Sequence, residues 1–359
     1  MVAAPLNFGP GPAMLPRPVL QRIAEELRAP EGLPVLELHH RDPAFAALAE
    51  RLESRLRELL ALPAACRVLF LQGGASAHFA LAPLNFLRGG ASADYLHTGY
   101  WSGRAFAEAQ RLRRARLAAS GRGQGFCAIP PREEWRLDPE AAYVFCTANE
   151  TVEGIEFPSL PEVGAVPLVA DMSSNFLSRP VALRGGLVFA AAQKNLGIPG
   201  LSVAIIGEGM LDGSAPPELP SLCDYRLLAE HRSLYNTPAT FSWYVAVLML
   251  DWLREQGGLA VIAEKNRRNA ELLYATIDAS GLYSNEVAAD CRSRMNVVFR
   301  LLVPELTESF LERAGREGLL GLAGHRSRGG LRASLYNAMP EQGVRALCGF
   351  MEEFERRHG

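Results

Sequence analysis

Five short apolar runs constrain this chain more than any other feature: Val68–Leu71, Tyr143–Cys146, Pro167–Ala170, Leu187–Ala192 and Leu201–Ile206. Each is too short for a helix and is apolar at consecutive positions rather than at alternating ones. Strands that are apolar on both faces belong in a mostly parallel sheet covered by helices on either side. Only eight residues, Gln193–Gly200, join the last two runs, whereas a helical crossover between parallel strands needs about a dozen. That pair is expected to be antiparallel, with Lys194 in the turn between its strands.

Helical spacing surrounds these runs. Val19, Leu20, Ile23, Ala24 and Leu27 form one apolar stripe, and Leu48, Leu52, Leu56 and Leu59 form another. The run RLRRARLAA at 111–119 reads as a solvated helix face. From about Val245 the texture becomes more helical, with VAVLMLDWL and a long pattern from Leu259 to Ile277. A strand-like MNVVFRLL, a helix over 305–315, a strand at 331–336 and a closing helix complete an α+β tail. With 359 residues, two domains are expected.

Charge and cysteine usage exclude several classes of function. A net charge of -2 supplies no basic field for nucleic acid or for an anionic membrane surface. The six cysteines are scattered, with no C-x-x-C pair and no histidine at metal-ligand spacing. They read as reduced thiols, most of them packing residues, and no metal is expected. The N-terminal MVAAPLNFGPGPAMLP lacks the charged start and apolar run of a signal peptide. No window approaches the roughly 20 apolar residues of a membrane span, so a cytoplasmic location is expected.

Among 37 basic residues only Lys194 and Lys265 are lysines. A primary amine can lose its proton and condense with an aldehyde, which a guanidinium cannot do at neutral pH. Lys265, in AEKNRRNAE, reads as part of a solvated helix face. Lys194 follows an apolar strand, where a charge is costly unless paired or neutralised. Upstream, Asp171 ends the run PLVAD at the end of a strand, the edge where open α/β sheets build their sites. Such an acid is either a helix N-cap or a partner for a protonated pyridine nitrogen. A lysine and an acid so placed are the minimum set for pyridoxal phosphate. The stretch QGGASAHF at 72–79 provides a phosphate cradle at a helix N-terminus, with Ala75 and Ser76 in its first turn. Trp101 is either a core residue or a face for the pyridine ring.

Further motifs are AQKN at Lys194, DMSS at Asp171, GYW at Trp101, NET at Asn149–Thr151, YNTP at Tyr235–Pro238, and GHR and RASLYNAMP near the end. Together, from NFGPGPAMLP to FMEEFERRHG, they resemble the phosphoserine aminotransferases, class V members of the fold-type-I pyridoxal phosphate enzymes. The resemblance implies an α/β fold-type-I transferase: a large cofactor-binding domain over 16–255 with a mostly parallel seven-stranded sheet flanked by helices. A smaller α+β domain would comprise 1–15 and 256–359. It implies that Lys194 carries the imine and that Asp171 pairs with the pyridine nitrogen. Trp101 would stack on the ring, Thr151 and Gln193 would bond cofactor oxygens, and Ala75 and Ser76 would hold the phosphate. Asn236 and Thr237 would reach the phosphate in the neighbouring subunit of a homodimer. Where the commonest pattern reads G-G-G-R-G-Q, this chain reads GGASAH and lacks the arginine.

A transaminase of this kind handles two dianionic partners in one pocket, and arginine forks suit both ends of such substrates. The resemblance implies Arg332 as the α-carboxylate anchor and His40, Arg41, His325 and Arg326 as the distal anion site. Pro10 replaces a serine that some members place near the amino donor, and no donor contact is assigned to it. The expected substrates are phosphoserine, 3-phosphohydroxypyruvate, glutamate and 2-oxoglutarate, in serine biosynthesis and, in some bacteria, pyridoxine biosynthesis. The rivals are an alanine–glyoxylate aminotransferase, a cysteine desulfurase using Cys291 in ADCRSRMN, and a non-catalytic module retaining the fold.

Overall fold

The computed structural model describes residues 5–28, 32–183, 185–213 and 216–358. Its centre is a sheet of seven strands: β1 Arg67–Leu71, β2 Ser92–His97, β3 Arg114–Ser120, β4 Tyr143–Thr147, β5 Leu168–Asp171, β6 Leu187–Ala191 and β7 Ser202–Ile206. They lie in the order β1-β7-β6-β5-β4-β2-β3. β7 runs antiparallel to both of its neighbours, and the remaining pairs are parallel. The short linker therefore has the consequence expected of it.

Side chains of a strand point alternately to opposite faces, which explains why the runs are apolar throughout. In β4, Val144 and Cys146 enter one core while Tyr143 and Phe145 enter the other. In β6, Val188 and Ala190 divide from Leu187 and Phe189 in the same way. Helices Pro43–Leu60 and Thr240–Glu255 cover the first face with Phe45, Leu52, Leu56 and Trp243. The first of these is started by Asp42, which accepts a bond from the Ala44 amide at 2.8 Å. Helices Ala75–Phe86 and Tyr100–Leu112 cover the second face with Phe79, Leu81, Ala105 and Ala109. Each buried Leu or Phe contributes about 1.5–3 kcal/mol relative to exposure.

Two strands lie outside the five runs, and one corrects an expectation. The run at 111–119 is not a helix face: the helix stops at Leu112 and the chain re-enters as the edge strand β3. Its arginines put charge on this edge strand, where charges discourage further pairing, and both bond back towards the neighbouring segments. Arg116 forks onto Asp94 of β2 at 2.7 and 2.9 Å. That pair neutralises the buried acid in the middle of β2, the residue that disguises SADYLH as a turn.

A second core contains Phe8 together with Leu273, Ile277, Phe299, Phe310 and Phe354. It packs a three-stranded antiparallel sheet of β8 Tyr283–Ser284, β9 Asn296–Leu301 and β10 Leu331–Ser334. Leu6–Asn7 pairs with Leu319–Leu320, tying the N-terminal segment to this core. Helix Gly258–Asp278 serves both cores: Leu259 and Ile262 join the first, while Ala270 and Leu273 join the second. Lys265 lies in the seam between them, which corrects its solvated-face reading. Its Nζ donates to the Asn337 carbonyl at 2.7 Å and sits 5.8 Å from the Trp252 ring centre. Among the described residues no helix is long and apolar enough to cross a membrane.

Candidate active site

The carboxyl ends of the parallel strands open into a cavity of about 450 Å³, the edge where open α/β sheets bind ligands. β1 leads to Gly74, Ala75 and Ser76; β2 to Trp101; β4 to Thr147 and Thr151; β5 to Asp171; β6 to Gln193 and Lys194. From the other core come His325 and Arg332. Residues scattered over some 260 positions of sequence are thus brought together by strand order and by the packing of the second core against the sheet.

Lys194 Nζ donates to Thr151 Oγ1 at 3.2 Å. Burial lowers the Lys194 pKa to about 8, with Asp171 opposing the shift. Asp171 accepts from the Ser173 amide at 2.9 Å, and burial raises its pKa while Ser173 and Lys194 pull it down. The cap reading and the cavity reading of Asp171 therefore coexist: one oxygen closes the turn and the side chain still lines the cavity. At the end of β1, Gly73 has φ +105, a conformation that favours glycine. Gly74 then starts helix Ala75–Phe86 without any side-chain cap, and while the Ala77 amide donates to the Gly74 carbonyl, an uncapped helix start of this kind suits an anion at Ala75 and Ser76.

Three buried polar atoms at the cavity have no partner: Trp101 Nε1, Thr147 Oγ1 and Arg332 Nε. Arg332 is 4 % exposed and donates through Nη1 to the Thr151 carbonyl at 3.0 Å. Unpartnered polar groups at this depth are costly without a ligand. The residues present fit pyridoxal phosphate: an amine for the aldehyde, a buried acid for the ring nitrogen, an indole for the ring face and an uncapped helix start for the phosphate.

The structure does not bring all the expected residues here. His40 is buried elsewhere, its ring 4.5 Å from that of His39 and neither of its nitrogens bonded. Burial and the nearby His39 and Arg41 lower its pKa. Arg41, Asn236 and Thr237 are exposed and do not line the cavity. The Thr237 carbonyl accepts from Gln72 Nε2 at 2.5 Å, which sets the YNTP segment beside the Gly73–Gly74 turn. His325 lines the cavity with its ring 4.8 Å from Tyr100. Burial, Arg332 and Arg326 lower its pKa. Arg326 is exposed beside it and outside the lining.

Other lining residues were not anticipated: Pro10, Gly11, Thr147, Asn149, Ser173 and Ser174. Gly11 has φ +141, and a Cβ there would lie 3.6 Å from Gln193 Cγ. Cys291 is buried, bonded to the Ala288 carbonyl and outside the cavity lining, and burial raises its pKa. That is the reverse of what a reactive thiol needs.

A buried lysine with a lowered pKa, an acid at a strand end and a buried arginine line one cavity of this fold. Residues 6–347 match the family described as Aminotransferase class-V. A phosphoserine aminotransferase of Azotobacter vinelandii is 49% identical over 356 residues, covering 98% of each chain. The crystal structure of phosphoserine aminotransferase from Bacillus circulans subsp. alkalophilus superposes with a TM-score of 0.96 at 43% identity, covering 99% of both chains. That of a PLP-bound phosphoserine aminotransferase from Trichomonas vaginalis gives 0.92 at 38%, covering 97% of this chain and 99% of the other. The chain belongs to the class-V aminotransferases and, within them, to the phosphoserine aminotransferase family.

Proposed function

We propose that the protein catalyses reversible, pyridoxal-phosphate-dependent transamination of 3-phosphohydroxypyruvate with L-glutamate, giving O-phospho-L-serine and 2-oxoglutarate for serine biosynthesis. The observation that carries this reading is the convergence of Lys194, Asp171 and Arg332 on one cavity. When bound, the cofactor supplies an electron sink for the carbon that loses its proton. Lys194 anchors it and, once displaced by the amino substrate, moves the Cα proton with Nζ. Asp171 holds the ring nitrogen protonated, and Trp101 supplies the stacking face. Thr151 and Gln193 bond ring substituents, and Ala75 and Ser76 hold the phosphate at the helix start. Arg332 forks onto the α-carboxylate.

Recognition of the far end of the substrate falls to His325 and Arg326, joined by His40 and Arg41 of a second copy. Asn236 and Thr237 likewise complete the partner's phosphate site. A homodimer is supported by three features: the position of these residues outside their own cavity, the unbonded ring of His40, and the half-exposed Leu20, Leu27 and Leu36 nearby in sequence. We also propose a division into domains 16–255 and 1–15 with 256–359, which the two cores support, the shared helix Gly258–Asp278 and Leu15 aside. A cytoplasmic location and use of the phosphorylated hydroxythreonine analogue in pyridoxine biosynthesis belong to the same reading.

Half-reactions with phosphoserine, glutamate, alanine and cysteine, followed by absorbance of the loaded protein, test it. Phosphoserine and glutamate are expected to convert the cofactor at least roughly 100-fold more efficiently than alanine, since the anion site discriminates by charge-assisted bonds. Equal conversion by alanine would sink the substrate assignment.

A further inference from the structure

Both lysines are followed directly by an asparagine, Asn195 and Asn266, and a third, Asn337, follows Tyr336 in the segment leaving β10. All three are buried, at 2%, 1% and 0% exposure. They come from three distant parts of the chain, yet their amides converge on consecutive carbonyls. Asn195 Nδ2 donates to Phe176 O at 2.9 Å, Asn337 Nδ2 to Leu177 O at 2.8 Å and Asn266 Nδ2 to Ser178 O at 3.1 Å. The middle residue, Leu177, has φ 58, a left-handed conformation that a leucine adopts only when its surroundings enforce it.

The amides are also linked to one another. Asn266 Nδ2 donates to Asn337 Oδ1 at 2.8 Å, and the Asn337 backbone N–H donates to Asn195 Oδ1 at 3.0 Å. Lys265 closes the outer side through its bond to the Asn337 carbonyl. Three of the elements in this knot lead within a few residues to a charged group of the cavity, while Asn266 joins them from helix Gly258–Asp278. Phe176–Ser178 closes the turn that begins at Asp171, Asn195 adjoins Lys194, and Asn337 lies five positions after Arg332.

Given the transaminase reading, on which this rests, we propose that Asn195, Asn266 and Asn337 are positioning residues of the reaction. They lock the Asp171 turn, the Lys194 turn and the exit from Arg332 into one arrangement, so that base, ring acid and carboxylate anchor keep fixed separations. Amides suit the task because each can donate and accept at once without adding a buried charge. None of the three is itself a lining residue of the cavity, so their effect passes through Asp171, Lys194 and Arg332. The charged groups that act on Lys194 are Asp171, Arg332 and Glu150; none of them is removed when an asparagine is changed, so a moved midpoint reports altered separations.

The test uses the cofactor-loaded protein. For Asn195→Ala and Asn337→Ala, the absorbance-against-pH midpoint, kcat, KM for glutamate and Tm are measured beside wild type. The midpoint is expected to move by about half a pH unit or more and kcat to fall roughly 10-fold, while KM changes less than about threefold. Asn266→Ala, farther from Lys194, is expected to move both in the same direction by less. Variants with lowered Tm but wild-type midpoint and kcat would show a purely structural knot and overturn the proposal. If neither of the first two variants folds, Lys265→Met carries the test. It removes the donor to the Asn337 carbonyl together with the cation beside the Trp252 ring, and a wild-type midpoint and kcat there would also overturn the clamp. A wild-type protein that develops no cofactor band at all would remove the transaminase reading and the clamp with it.

Discussion

The two ends of the proposed substrate pocket are built differently. At the cofactor end, Lys194, Asp171, Trp101, Thr151 and Arg332 converge within one chain, held by strand ends and by backbone bonds. At the distal anion end, one chain contributes His325 to the lining while Arg41 and Arg326 stay exposed and His40 is buried elsewhere with no hydrogen-bond partner. On the proposed reading, the chemistry is intramolecular and the selection of a dianion is shared between copies. A strand end can place a base to a fraction of an ångström, because sheet register fixes it. Charge recognition tolerates looser placement, so it can be assigned to loops that meet only on association.

The largest effect is expected at Lys194. Lys194→Arg keeps the positive charge but removes the primary amine, and turnover is expected to fall by at least roughly 10³-fold. Borohydride reduction of the loaded protein, followed by peptide mapping, should then attach the cofactor at residue 194 in wild type only. Turnover near wild type would break the intramolecular half of the contrast. Next in size is Arg332→Ala, for which kcat/KM is expected to fall roughly 100-fold for glutamate and phosphoserine alike, since both carry the same α-carboxylate. A loss confined to phosphoserine would move Arg332 to the distal end.

Arg41→Ala is expected to cost about 10-fold in kcat/KM for phosphoserine and much less for cofactor loading. Mixing this variant with Lys194→Ala under conditions that exchange subunits sharpens the comparison. If Arg41 serves the neighbour's cavity, each hybrid holds one site with both native residues, and activity is expected to rise to about a quarter of wild type. Activity no greater than that of the separate variants would place Arg41 in its own subunit's pocket.

These contrasts also mark how far the chain could be read before its structure. Lys194 was legible because eight residues cannot form a crossover, so the turn and its direction followed from length alone. Asp171 was legible because it terminates an apolar run. β2 and β3 were hidden by Asp94 and Arg116, two charges that look like turn and surface signals until they neutralise each other across strands. Lys265 was hidden because a polar helical stretch does not reveal that it lies between two cores. Gly11 and the three clamping asparagines act through tertiary approach, for which neither periodicity nor spacing carries a local signal. The distal site was named through resemblance, but no property of a single chain says which copy supplies a loop.

The smallest expected effect concerns pH, and it isolates the cofactor end. Burial brings the Lys194 pKa down to about 8 from 10.5. Below pH 8 the folded apoprotein carries the ammonium, which cannot attack an aldehyde, and above it the free amine dominates. Lowering the pH from 8 to 7 reduces the amine fraction from half to about a tenth, so the rate of cofactor capture is expected to fall about fivefold. His325 does not supply this dependence, because burial and its arginine neighbours lower its pKa, away from this window. Stopped-flow loading against pH measures the midpoint. Since its causes are burial, Asp171, Arg332 and Glu150, all within one chain, Arg41→Ala should leave the midpoint in place even as it weakens phosphoserine binding. A midpoint that moves in Arg41→Ala would show that the partner's loop reaches the lysine, and the separation of the two ends would fail.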